Sequence, residues 1–169
     1  PEPFSDFWGV VTDLKTHVAE FEHEDEETGI KTPRITPMLR VEILVVNGPS
    51  IWEDFALPLD RNTGQVRRNE QGGVARPNEE SKWGKQEMLL TNGGLAFLDA
   101  RDIIGLHAHF KRMEIPLKGR GNRSVKGRFI IEWDGYNNTV RGEHGLDSRQ
   151  VSPSSTNTQD VVDEAVRGS

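Results

Sequence analysis

The sequence contains no cysteine, which excludes a disulfide framework, a zinc-thiolate centre and a cysteine nucleophile together. It also lacks any run of about 18 apolar residues that could span a bilayer. Pro1 to Phe7 do not follow the basic-then-apolar pattern of a secretory signal, so a cytoplasmic protein without membrane contact is expected. Apolar side chains are scarce, at 34% of residues, below the usual share for a globular domain. Among catalytic signatures there is no Gly-x-Ser-x-Gly elbow, no glycine-rich phosphate loop ending in Lys-Ser/Thr and no His-Glu-x-x-His helix. A non-enzymatic protein without a cofactor is therefore expected. What is abundant is Gly, with 17, and Pro, with 9, in a chain of 169 residues. That length suits one domain with a compact core and much of the chain in loops, turns or a tail.

The 21 basic and 27 acidic residues give a net charge of −6, which argues against a chain that coats nucleic acid by bulk electrostatics. The charge is unevenly distributed. Glu20 to Glu27 hold six carboxylates and no Lys or Arg, whereas Lys111 to Arg128 hold seven Lys or Arg against Glu114 alone. Either run is also what a solvated loop surface looks like.

Alternation from Trp8 to Leu14 marks a strand, with Trp8, Val10, Thr12 and Leu14 on one side, continuing toward Phe21 before the polar stretch Glu22 to Arg34 interrupts it. Met38 to Val46 is the clearest strand, since Leu39, Val41, Ile43 and Val45 alternate with Arg40, Glu42 and Leu44. Asn47-Gly48-Pro49 is a hairpin signal, and Ile51 to Leu57 supplies the returning strand with Trp52 facing away from Ile51, Phe55 and Leu57. Asp60 to Pro77 has no periodicity and reads as a long loop. Asn78 is placed to cap a helix running through Trp83, Gln86 and Leu90 to a stop at Gly93-Gly94. Ile104 to Ile115 reads as a fourth strand, with Leu106, Ala108 and Phe110 opposite His107, His109 and Lys111. A glycine-rich basic loop, Leu117 to Gly127, leads into a fifth strand, Arg128 to Trp133. Trp8, Phe110, Phe129 and Trp133 are the expected aromatic core. Residues 136–169 lack periodicity and read as a flexible polar tail, leaving residues 1–135 as the folded domain.

Three strands, a helix and two strands, all-β with one helix, is the order of a five-stranded Greek-key barrel of the oligonucleotide-binding (OB) kind. Ser81-Lys82-Trp83-Gly84-Lys85 at the helix start, followed by Asp102-Ile103-Ile104-Gly105 before a strand with basic residues, resembles the single-stranded-DNA-binding proteins of that fold, particularly small phage-type ones. The acidic-aromatic C-terminal end of the bacterial members is absent. A β-sandwich with one inserted helix also fits the pattern.

The resemblance implies ligand binding across the second and third strands, with the loop between the fourth and fifth closing over it. The residues expected to contact single-stranded DNA, or RNA, are Arg40, Trp52, His109, Lys111, Lys118, Arg120, Arg123 and Lys126. Cations on the flexible backbone of Lys118 to Arg123 suit phosphates, and Trp52 is either a stacking platform for a base or packed beneath the 60–77 loop. His107 and His109 share a face but have no third ligand in view, so a metal is not expected. The rival expectation is a structural or adaptor protein, such as a phage virion component, that binds another protein through the barrel or the tail.

Overall fold

In a computed structural model the described residues are 3–57, 81–117 and 124–154. They form strands β1 (Asp6–Glu24), β2 (Lys31–Val45) and β3 (Ser50–Ala56), helix α1 (Lys82–Asn92), a 3-10 turn at Ala100–Ile103, strands β4 (Leu106–Pro116) and β5 (Ser124–Tyr136), and helix α2 (Asn138–Glu143). The strands make one antiparallel sheet in the order β3-β2-β1-β4-β5. The protein is therefore mostly β, as expected. No backbone ladder joins β3 to β5 among the described residues, so the sheet is not closed by strand pairing. The expected 60–77 loop and the Lys118 to Arg123 segment lie outside the described residues.

The expected alternation on β2 holds: Leu39, Val41, Ile43 and Val45 are buried in the core. The turn at Asn47-Gly48 is a hairpin, with Asn47 at φ 56 and the Val45 N–H donating to the Pro49 carbonyl over 3.0 Å. On β1 the phase of the pattern changes once. The register slips between Val11 and Asp13, so Thr12 is the extra residue of a β-bulge. Val11 before it and Leu14 after it consequently both face the core, opposite Ile43 and Val41. Gly9 also points inward, where a Cβ would come within 2.8 Å of Ile43 Cγ2; the close approach of β1 to β2 leaves room only for glycine. Trp8 is accordingly on the outward side and not in the core, which corrects the expectation from sequence. Phe110, Phe129 and Trp133 are in the core.

The polar stretch Glu22 to Arg34 is not a break. Pairing of β1 with β2 runs on to Glu24↔Lys31, around a turn in which the Asp25 carboxylate accepts from the N–H groups of Glu27 and Thr28. Both faces of this outer ribbon meet solvent, so it carries no apolar alternation to reveal it.

Helix α1 starts at Lys82, because the Ser81 hydroxyl accepts from the Gly84 N–H over 3.0 Å and caps it; the expected cap, Asn78, lies outside the described residues. Trp83, Leu89 and Leu90 are fully buried, each worth roughly 1.5–3 kcal/mol in burial. Gly93 ends the helix against the Trp133 indole, where a Cβ would sit 3.0 Å from Cζ2. The helix lies between the two edge strands. Lys82 and Gln86, one turn apart and so on one side of the helix, bond opposite edges. The Lys82 ammonium donates to the Asp54 carbonyl of β3 over 2.8 Å and pairs with Glu53. Gln86 bonds both the N–H and the carbonyl of Ile130 on β5. Side chains complete the approach of the edges: Arg128 pairs with Glu53 at 3.1 Å, and the Phe55 and Phe129 rings meet at 5.8 Å.

Residues 137–154, expected as part of a flexible tail, pack against the body. Arg141 is buried, donating to the carbonyls of Ile104 and Asp147, and the guanidinium groups of Arg141 and Arg149 lie 5.0 and 5.3 Å from the Tyr136 ring. His144 Nε2 donates to the Thr12 carbonyl over 2.7 Å, supporting the β1 bulge. Val151 packs on the core, and the Ser154 N–H donates to the Trp133 carbonyl on the edge of β5. Polar and cation–π contacts dominate this docking, which is why no apolar period announces it.

Candidate nucleic-acid interface

The outward side of β2 and β3 is set by the same alternation that buries Val41 and Ile43. Arg40, Glu42 and Leu44 must face away from the core, with Asp54, Trp52 and Ser50 opposite them in register. Trp52 is 54% exposed, an unusual position for a side chain whose burial is so favourable. The Arg40 guanidinium carbon lies 5.0 Å from the Trp52 ring. Arg40 is held there by a two-point pair with Asp54, Nε to Oδ1 at 2.9 Å and Nη2 to Oδ2 at 3.1 Å. Those bonds keep the Asp54 carboxyl below the usual carboxylate range, helped by His17 and opposed by partial burial. Beside this group Lys15 pairs with Glu42 at 2.9 Å, and that bond raises the Lys15 pKa.

A second aromatic group lies on the same outward side, across β1. Trp8 stacks on His109 at 5.4 Å and 13° and on His107 at 5.2 Å and 30°. His109 Nδ1 is 3.1 Å from Glu132, its Nε2 contacts Asp6, and His107 Nδ1 is 2.6 Å from Asp134.

The structure thus brings Arg40 and Trp52 into contact. It places His109 and Lys111 on β4, three strands from Trp52 in the sheet order, a lateral separation of about 14 Å along a flat sheet. Lys126 is exposed on β5, 4.0 Å from Glu114. Lys118, Arg120 and Arg123 lie outside the described residues. Comparison with family models, curated proteins and solved structures finds no match. Sequence reasoning missed Trp8 as an outward aromatic; Gly9 in mid-strand, a sign of close backbone approach, was the available signal. Among the described residues no helix is long and apolar enough to cross a membrane, and no group of three or more His, Asp or Glu could hold a metal ion.

Proposed function

We propose that the chain is a single-stranded nucleic-acid-binding protein that uses the outward side of β2 and β3, with Trp52 as the stacking platform. The observation that carries this reading is the exposed Trp52 ring beside the fixed Arg40 guanidinium. An accessible indole stacks on any base, a contact worth ~1–3 kcal/mol, and an adjacent guanidinium adds a cation for the backbone. The strand order supports the finer fold as well. Opening a five-stranded Greek-key barrel of the OB kind between its third and fifth strands gives the order β3-β2-β1-β4-β5, and here α1 occupies that opening. In such a barrel the second and third strands form the binding surface. Lys126 on β5 then supplies a phosphate contact; the sequence expects the same of Lys118, Arg120 and Arg123, which lie outside the described residues.

A protein-binding adaptor is the second reading, favoured by the acidic partners of Lys15, Arg40 and Lys126, which reduce the cationic field of the described surface. Titration with a labelled single-stranded oligonucleotide at low and high salt separates the two. Nucleic-acid binding weakens as salt rises, because phosphate contacts release counterions; an adaptor leaves the oligonucleotide unbound at both concentrations.

A further inference from the structure

Trp52 is not isolated on the outward side of the sheet. Glu42↔Trp52 and Leu44↔Ser50 are successive outward rows of the β2–β3 ladder, so Leu44 is the diagonal neighbour of Trp52. Val46 is the next outward residue beyond Leu44. Its N–H donates to the Trp8 carbonyl over 2.9 Å, continuing the Val10↔Leu44 and Gly9↔Val45 pairing by one row. Trp8 therefore stands beside Val46 as Val10 stands beside Leu44. Trp52, Leu44 and Val46 are 54%, 46% and 48% exposed, and Trp8 and Val10 are half-buried.

These side chains form one apolar band that crosses β3, β2 and β1. It ends on the stacked rings of Trp8, His107 and His109, each of them half-buried and so still meeting solvent. Two inter-strand steps of ~4.8 Å and four residues at ~3.3 Å put the aromatic ends about 16 Å apart. A contiguous exposed apolar band of this kind marks a binding surface. The charges beside it are engaged with one another: Lys15 with Glu42, Arg40 with Asp54, His107 with Asp134, and His109 with Asp6 and Glu132. What the band offers a ligand is ring and aliphatic surface, which suits the faces of bases.

We propose, resting on the nucleic-acid reading above, that Trp8 with His107 and His109 is a second stacking station. A single strand then crosses the sheet from Trp52 over Leu44 and Val46 to Trp8, with its bases toward the protein. At the ~3.4 Å spacing of stacked nucleotides the band accommodates about 5 of them, within the ~4–16 that one fold of the OB kind covers. Because every base has a flat face, contact along this path is tolerant of sequence.

Binding of an oligothymidylate of about 12 nucleotides to the whole chain tests this. Trp8→Leu, which keeps an apolar side chain beside the two imidazoles, is compared with Trp52→Ala. Each substitution is expected to weaken binding about 5- to 150-fold, and a strand of the same length without bases is expected not to bind. In the wild-type chain the indole N–H signal of Trp8 is expected to move in the NMR spectrum on addition of the oligonucleotide, while those of the buried Trp83 and Trp133 stay in place. That spectrum decides the matter if Trp8→Leu fails to fold. A folded Trp8→Leu chain that binds like wild type, a Trp8 signal that does not move, or a baseless strand that binds equally well would each overturn the second station. If Trp52→Ala is nevertheless weakened, the β2–β3 reading survives that result. A wild-type chain that binds no oligonucleotide overturns both.

Discussion

The side-chain amide of Gln86 bonds both backbone groups of Ile130, donating to its carbonyl over 2.9 Å and accepting from its N–H over 2.7 Å. One buried glutamine thus stands where a neighbouring strand would pair with β5. An unpaired strand edge is a template for aggregation, and here α1 covers it. Gln86→Ala leaves a buried N–H and a buried carbonyl without partners, each costing about 1–3 kcal/mol. The variant is expected to lose roughly 2–6 kcal/mol, read as a fall in denaturant midpoint at unchanged m-value. A loss below about 0.5 kcal/mol would show that water replaces the amide at no cost.

Truncation after Gly135 is expected to destabilise the protein severely. It removes Tyr136 and the Arg141 and Arg149 side chains stacked on it, the Val151 contact with the core, the Ser154 bond to Trp133 and the His144 bond to the Thr12 bulge. Thermal unfolding checks this: the shortened chain is expected to melt at a clearly lower temperature or without a cooperative transition. An unchanged Tm would reduce residues 137–154 to a surface decoration.

These two cases mark where the sequence is legible. The strand from Met38 to Val45 can be read because one side is buried and the other is not, so Leu39, Val41, Ile43 and Val45 stand out from Arg40, Glu42 and Leu44. Trp52 is readable on the outside for the same reason. The ribbon from Lys31 to Pro37 has no buried side, and its pairing leaves no period. Thr12 hides half of β1, because a single extra residue moves Leu14 to the side opposite Trp8 and Val10. Residues 137–154 dock through arginine, tyrosine and histidine, whose placement depends on partners distant in sequence. In the candidate interface, Trp52 and Arg40 could be assigned together because Glu42↔Trp52 and Arg40↔Asp54 follow from the hairpin register.

The Arg40–Asp54 pair predicts an acid-sensitive contribution to stability. The folded-state pKa of Asp54 lies below its usual value because of the Arg40 bonds, so the pair contributes stability above the unfolded carboxylate range near ~3.9. That contribution is lost as pH falls through the lower folded value. Asp54→Asn is therefore expected to be less stable than wild type near neutral pH, and the difference in Tm is expected to shrink as pH drops below about 4. A difference that stays constant down to strong acid would mean that the ionised pair contributes nothing.

The most direct measurement is the affinity of Trp52→Ala for a single-stranded oligonucleotide, compared with wild type at one fixed salt concentration. Loss of a base-stacking platform predicts weakening by ~1–3 kcal/mol, about 5- to 150-fold, accompanied by quenching of tryptophan emission in the wild-type complex. The variant is expected to stay folded, with a stability change under about 1 kcal/mol, because the ring is exposed and contacts Arg40 by a cation–π interaction. Wild-type binding that survives Trp52→Ala without loss, in a folded variant, would contradict the placement of nucleic acid on β2 and β3.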